Sequence, residues 1–141
     1  MASLVQTLAD FRCELRKFIQ FSERAALEAG LQPQQHQLLL QIAGASAEAA
    51  VTIAYVADRL GLRHNSAVEL VGRTEQEDLL RRKEDPSDRR RALLYLTAKG
   101  RRLLEELSEF HAQELNDRAP ELIRTLTHIR RTLADSKGVH A

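Results

Sequence analysis

Apolar residues along this chain recur mostly three and four positions apart, the spacing of helices with one buried side. Leu4, Leu8, Phe11, Leu15, Phe18 and Ile19, with Ser22, fall on one side of a helix over about 3–29, which Gly30 ends. Leu31-Gln32-Pro33 starts a second helix with Pro33 near its first turn, and Leu38, Leu39, Ile42 and Ala43 carry it to about Gly44. Small residues at 45–50 lead to a third helix, 53–60, with Thr52 as N-cap and Ile53, Val56, Ala57 and Leu60 inward. Gly61-Leu62 makes a sharp stop. A fourth helix, about 63–77, has Ala67, Leu70, Val71 and Thr74 as its buried stripe. Ser66 and Glu69 have the spacing of a capping box, and Asn65 is an equally good cap. Two short helices joined by a tight turn containing Gly have the sequence form of a helix-turn-helix.

The period then changes. Ala92, Leu94 and Leu96 alternate with Leu93 and Tyr95, as in a strand with two faces. Strands over 79–83 and 91–97 form a predicted hairpin, turned by Asp85-Pro86-Ser87-Asp88, where Pro fixes φ and Asp and Ser bond nearby backbone. Thr97 caps a fifth helix, about 98–117, carrying Leu103, Leu104, Leu107, Phe110 and Leu115. Ala119-Pro120 is predicted to break it, and a sixth helix, 120–134, carries Leu122, Ile123, Leu126, Ile129 and Leu133. Residues 136–141 are expected to fray.

The expectation is a mainly α fold with a small β-hairpin wing, in one domain over 1–141. It has a winged helix-turn-helix lobe at 33–100, a linking helix at 98–117, and long terminal helices at 1–30 and 118–141. The terminal helices carry more apolar stripe than three helices and a hairpin can cover. Pairing with a second copy about a two-fold axis is the physical solution.

Composition narrows this picture. Aromatic residues make up only 4% and Trp is absent, so the core rests on Leu, Ala, Val and Ile, a mix that favours helices. The net charge of +1 does not itself argue for nucleic acid, but its distribution does. From Arg81 to Arg102 there are nine Lys or Arg and three acids, a local net of +6, with Arg89, Arg90 and Arg91 beside the hairpin tip. A single cysteine, Cys13, allows no intrachain disulfide and fits a reducing compartment. No run approaches the roughly 20 apolar residues of a membrane span, and the N-terminus lacks the pattern of a secretory signal. A soluble cytoplasmic protein is expected. There is no phosphate-cradling Gly loop, nucleophile elbow or His-Glu-x-x-His motif, so neither an enzyme nor a cofactor is expected.

The run Asp88-x-Arg90-x-x-x-Leu94-x-Leu96-Thr97-x-x-Gly100 resembles the wing signature of the multiple antibiotic resistance regulator (MarR) family. Val56-Ala57-Asp58-Arg59-Leu60-Gly61-Leu62 and Ser66-Ala67-Val68-Glu69-Leu70-Val71-Gly72-Arg73 look like its helix-turn-helix, and Leu31-x-Pro33-x-Gln35-His36-x-Leu38-Leu39 like its second helix. The resemblance implies a homodimeric transcriptional regulator, usually a repressor, with two recognition helices in successive major grooves of a palindromic operator. It also implies that Arg90 reaches into the minor groove and that Asp88 braces it. The chain departs from the family at Thr74 and Asp78, where Leu and Gly are usual.

Base reading falls to the exposed side of the fourth helix: Arg63, His64, Asn65 and Ser66 at its start, then Val68 and Arg73. Lys83, Asp88, Arg89, Arg90 and Arg91 are the DNA-binding candidates of the hairpin. Glu69, Glu75 and Glu77 would repel phosphates. This leaves a second reading, a helical protein-interaction adaptor with weak or lost DNA binding. The resemblance further implies a small aromatic or anionic effector held between the dimer helices and the DNA-binding lobe, for which Arg16, Phe18, Phe21, His36 and His111 are candidates. Some members sense peroxide through a lone cysteine in the first helix. Cys13 has Arg16 and Lys17 at i+3 and i+4 to lower its pKa, but inert packing is the commoner fate of such a thiol. His36 and His111 fall where some members hold zinc, but the spaced His and Cys set of a zinc site is absent, so no metal is expected. His36 is read as a hydrogen-bonded interfacial residue, and His128 and His140 as surface residues.

Overall fold

The computed structural model describes residues 2–139. Its elements run α1 (Leu4–Glu28), α2 (Pro33–Ala43), α3 (Ile53–Leu60), α4 (His64–Gln76), β1 (Leu80–Asp85), β2 (Asp88–Leu96) and α5 (Ala98–Val139). The chain divides into two compact units. One comprises Ala25–Ser108; the other comprises the residues up to Arg24 and from Glu109 onward.

The central unit closes its own core. Leu38, Ile42, Val56, Leu70, Val71, Leu80 and Leu94 form one buried cluster; Ala26, Leu31, Leu39, Leu79, Leu104 and Leu107 form another. The α4 stripe is buried at Ala67, Leu70, Val71 and Thr74, as the spacing predicts. Thr52 caps α3, its hydroxyl accepting the Tyr55 N–H at 3.1 Å. Gly61, at φ +65, ends α3 in the left-handed conformation that costs a glycine least. Strands β1 and β2 pair antiparallel, Leu80 opposite Leu96 and Arg82 opposite Leu94, with an irregularity between Glu84 and Asp85. Leu94 N–H also donates to the Val51 carbonyl at 2.8 Å, which ties the hairpin to the segment before α3.

The elbow after α4 explains two sequence features. Asp78 has φ +60, where Gly or an Asx residue is tolerated best, so the family's usual glycine and this aspartate satisfy the same backbone demand. Its carbonyl accepts the Thr97 hydroxyl at 2.6 Å. Thr74 is fully buried, and its hydroxyl donates to the Leu70 carbonyl at 2.7 Å, so the polar group is satisfied inside its own helix. Gly100 faces the elbow from the start of α5: a Cβ there would lie 2.1 Å from the Leu79 carbonyl oxygen, so no larger residue fits without displacing the chain.

In the terminal unit, α1 and the outer part of α5 run antiparallel. His128 Nδ1 meets Thr7 Oγ1 at 2.7 Å, Arg124 meets Asp10 at 3.0 Å, Arg118 meets Glu14 at 3.1 Å, and His111 Nε2 meets Ser22 Oγ at 2.8 Å. Val5, Phe110, Ile123, Leu126 and Leu133 remain exposed.

The structure corrects several expectations. Pro120 lies inside a continuous α5, and there is no sixth helix among the described residues. An interior proline costs a helix about 3 kcal/mol. Here Arg118 and Arg124, on either side of it, anchor α5 to α1 and hold the helical path. Helix continues through Val139, so fraying from 136 is not seen there. The strands extend to Asp85 and start at Asp88, leaving only Pro86 and Ser87 between them. Asn65 and Ser66 lie within the first turn of α4 rather than at its cap, because helical geometry starts at His64; Arg63 holds the cap position without a side-chain cap bond. His128 is half-buried against Thr7 rather than a surface residue. Cys13 is exposed rather than packed within the chain, since the helix turns residue 13 away from the side that meets α5. His140 lies outside the described residues.

Candidate nucleic-acid interface

Burying the Ala67–Thr74 stripe turns the opposite face of α4 to solvent. Arg63, His64, Asn65, Ser66, Val68 and Arg73 are all exposed. The hairpin projects from the same unit, its inner face carrying Leu80 and Leu94 into the core. Beyond the core the two strands continue as charged ribbon.

At the tip every arginine has an acidic partner. Arg90 donates to Asp88 through Nε at 3.1 Å and Nη2 at 3.2 Å, a fork-like pair with the Arg90 side chain 91% exposed. Asp88 thus braces Arg90 without covering it, and Arg90 hydrogen bonds hold its carboxyl below the usual range. Arg91 donates to Asp85 at 2.8 Å. Asp85 is buried at 5% side-chain exposure and also accepts the Ser87 hydroxyl and N–H, at 2.8 and 2.9 Å. Those bonds, led by Arg91, lower its pKa from 3.8 to about 2. Asp85 is the organiser of the turn. Arg89 sits 3.8 Å from Glu84. Lys83 lies over the Tyr95 ring at 4.9 Å, a cation–π contact.

Between the hairpin and the helices is an open cleft of about 640 Å³. Thr52, Ile53 and Ala54 at the start of α3 and His64 at the start of α4 line one side; Arg82, Lys83, Glu84, Arg89, Arg90, Arg91 and Ala92 line the other. The structure therefore brings His64 and the basic hairpin candidates onto one concave surface. Arg82 and the start of α3 were not among the sequence candidates. The signal for Arg82 was present: it shares the inner face of β1 with Leu80, two residues away. Two of the three acids expected to repel phosphates are engaged, Glu75 by Arg82 at 3.2 Å and Glu77 by Gln35 at 2.8 Å; Glu69 is exposed.

The family model for the MarR family matches residues 29–91, which hold α2, α3, α4, β1 and the tip with its three arginines. Over these residues, a little under half of the chain, the protein is similar to the MarR family. Solved MarR-type structures share its fold over most of their length. Staphylococcus aureus MepR, solved as a DNA complex, is 18% identical, with 92% of this chain and 94% of that one aligned at a TM-score of 0.70. The repressor CouR bound to a 23-mer DNA duplex is 27% identical, with 87% of each chain aligned at 0.67. CouR from Rhodococcus jostii bound to p-coumaroyl-CoA is 23% identical, with 94% of this chain and 93% of that one aligned at 0.69. No curated protein gives a significant match.

The other candidate residues are dispersed. In the terminal unit Phe18 and Phe21 meet the His111 ring edge-on, at centroid distances of 6.0 and 5.4 Å. Arg16 lines a different shallow groove, with Leu15, Ile19 and Gln20. His36 belongs to the central unit, where it is buried beside Gln37. Glu114, one turn from His111, pairs with Arg118. Among the described residues no three His, Cys, Asp or Glu are placed to hold a metal ion, and no helix is long and apolar enough to cross a membrane.

Proposed function

We propose that this chain is a homodimeric regulator of transcription that binds double-stranded DNA in the cytoplasm, a repressor by family habit rather than a catalyst. Helix α4 reads base edges in the major groove through Arg63, His64, Asn65, Ser66, Val68 and Arg73. The hairpin tip, led by Arg90, reaches the minor groove. The observation that carries this reading is the single basic cleft joining the start of α4 to the wing arginines. Major-groove reading needs an exposed helix of this kind, and flanking basic groups fix its register on the phosphates. The DNA-bound state of MepR and CouR supports it.

Binding selection on random duplex DNA tests the reading. It should recover a palindromic site whose half-sites are about one helical turn apart, bound with steep salt dependence. Absence of any salt-sensitive DNA binding would sink the reading and favour the interaction adaptor. Release by a small aromatic or anionic effector belongs to the same proposal, supported by the p-coumaroyl-CoA complex of CouR and by the Phe18, Phe21 and His111 ring cluster in this chain. Such an effector regulates only by binding two states of the dimer unequally.

A further inference from the structure

We infer that Arg82 is a phosphate-binding residue held in readiness by Glu75, which acts as an internal stand-in for the DNA backbone. The inference rests on the DNA-binding reading above and assigns a role to two residues it does not use.

Arg82 lies on the inner face of β1, opposite Leu94. Leu80 and Leu94 on that face are buried, so the face turns Arg82 toward the helices while its side chain stays partly open to solvent. There Arg82 Nε donates to Glu75 Oε1 at 3.2 Å, across from β1 to the last turns of α4. The same arginine lines the cleft with His64, Lys83 and Arg90. Its side chain is 34% exposed and that of Glu75 is 39% exposed, so the pair is accessible to a ligand and screened by water. An exposed pair of this kind contributes little to stability. A phosphate oxygen offers the guanidinium the same acceptor chemistry as the carboxylate, and charge-assisted pairing with phosphate is strong. The strand of DNA between a major groove filled by α4 and a minor groove entered by the wing must pass the cleft where Arg82 sits. Glu75 holds the flexible arginine in one geometry until that phosphate arrives, and opposes its transfer by competing for it.

The test measures binding of the full-length protein to two unrelated 40-base-pair duplexes across a salt series. Wild type must first show salt-sensitive binding; if it does not, the DNA-binding reading fails and this inference with it. With that established, R82Q should weaken binding several-fold on both duplexes equally and reduce the salt slope by about 1, as expected for a lost phosphate contact. E75Q should have the opposite sign and tighten binding. In the double variant E75Q/R82Q the gain from E75Q should disappear, because it acts through Arg82. Unchanged affinity and slope in R82Q would overturn the inference while leaving the DNA-binding reading in place. Weaker binding by E75Q would overturn it in favour of a purely structural clamp between α4 and the wing. A gain from E75Q that persists in the R82Q background would overturn the role of Glu75 by reducing it to bulk charge. Thermal unfolding of R82Q within a few degrees of wild type separates lost contact from lost fold, and R82K, which keeps the charge, should recover part of the slope.

Discussion

The two units of this protein treat the same kinds of residue in opposite ways. In the central unit, leucines and valines at helical spacing are sealed: Leu38, Leu39, Val56, Leu70 and Val71 are within 1% of full burial. In the terminal unit, equally apolar positions at the same spacing stay open, with Ile123 at 62% and Phe110 at 65% exposure, while Thr7 and Thr125 are fully buried. The contacts between α1 and α5 there include hydrogen bonds and ion pairs, such as Thr7 with His128 and Arg118 with Glu14, beside the edge-on packing of Phe18 and Phe21 against His111. One unit is a finished core. The other is a helical hairpin that leaves much of its apolar surface exposed, the surface that the proposed dimer would cover. Apolar periodicity marks helices in both; what the apolar stripe meets differs.

Substitutions can break this contrast. The largest effect is expected at the finished core: Leu70→Ala should lower the unfolding free energy by about 2–5 kcal/mol, through lost burial and a residual cavity, read by chemical denaturation. A loss under about 1 kcal/mol would mean that the central unit is not close-packed around Leu70. At the open unit, Ile123→Asp combined with Leu126→Asp should reduce the sedimentation mass at micromolar concentration from two chains to one. Far-ultraviolet circular dichroism should keep its helical signal, since neither side chain is buried in its own chain. A mass of one chain for the wild type would remove the interface altogether.

The wing should respond in binding rather than in stability. Arg90→Ala is expected to weaken operator affinity by about 1–3 kcal/mol, the scale of one good contact, with unfolding nearly unchanged because the side chain is almost fully exposed. Equal affinity in a gel-shift titration would take Arg90 out of the interface. The smallest effect concerns Asp85. Its folded pKa of about 2 lies below its ordinary 3.8, so its contribution is complete above about pH 4 and is lost as pH falls toward about 2. Hydrogen exchange at the Ser87 amide should therefore lose protection in that window and hold at pH 5, and Asp85→Asn should remove the acid-dependent step. Loss of protection already at pH 5 would contradict the Arg91–Asp85–Ser87 turn.

Much of the fold was legible from local pattern because local physics decides it. The α4 stripe, the Thr52 cap of α3, the Thr97 cap at the start of α5, whose hydroxyl accepts Gly100 N–H at 3.0 Å, and the αL stop at Gly61 each depend on a few adjacent residues. The misread features depend on distant partners. Pro120 signals a break until Arg118 and Arg124 are seen bonded to Glu14 and Asp10, more than a hundred residues away. Ser66 and Asn65 were locally plausible caps, but the path of the chain after Gly61 starts the helix earlier. The candidate site divides in the same way. The arginines of the tip announce themselves by clustering. The pairing of Arg82 with Glu75 does not, because it requires the hairpin to fold back toward α4.

The sequence by itself determined the order of helices as far as Pro120, the hairpin, the basic wing and its resemblance to the MarR wing signature, including Gly100. Those features follow from backbone preference and from the spacing at which side chains share a face. The tertiary structure alone decided why Gly100 must be glycine, since only the folded chain brings the Leu79 carbonyl to where a Cβ would stand. It also decided which charges are engaged and which apolar faces are closed. Burial and ion pairing depend on residues brought close in space by the whole fold, and no local pattern encodes which partner will arrive.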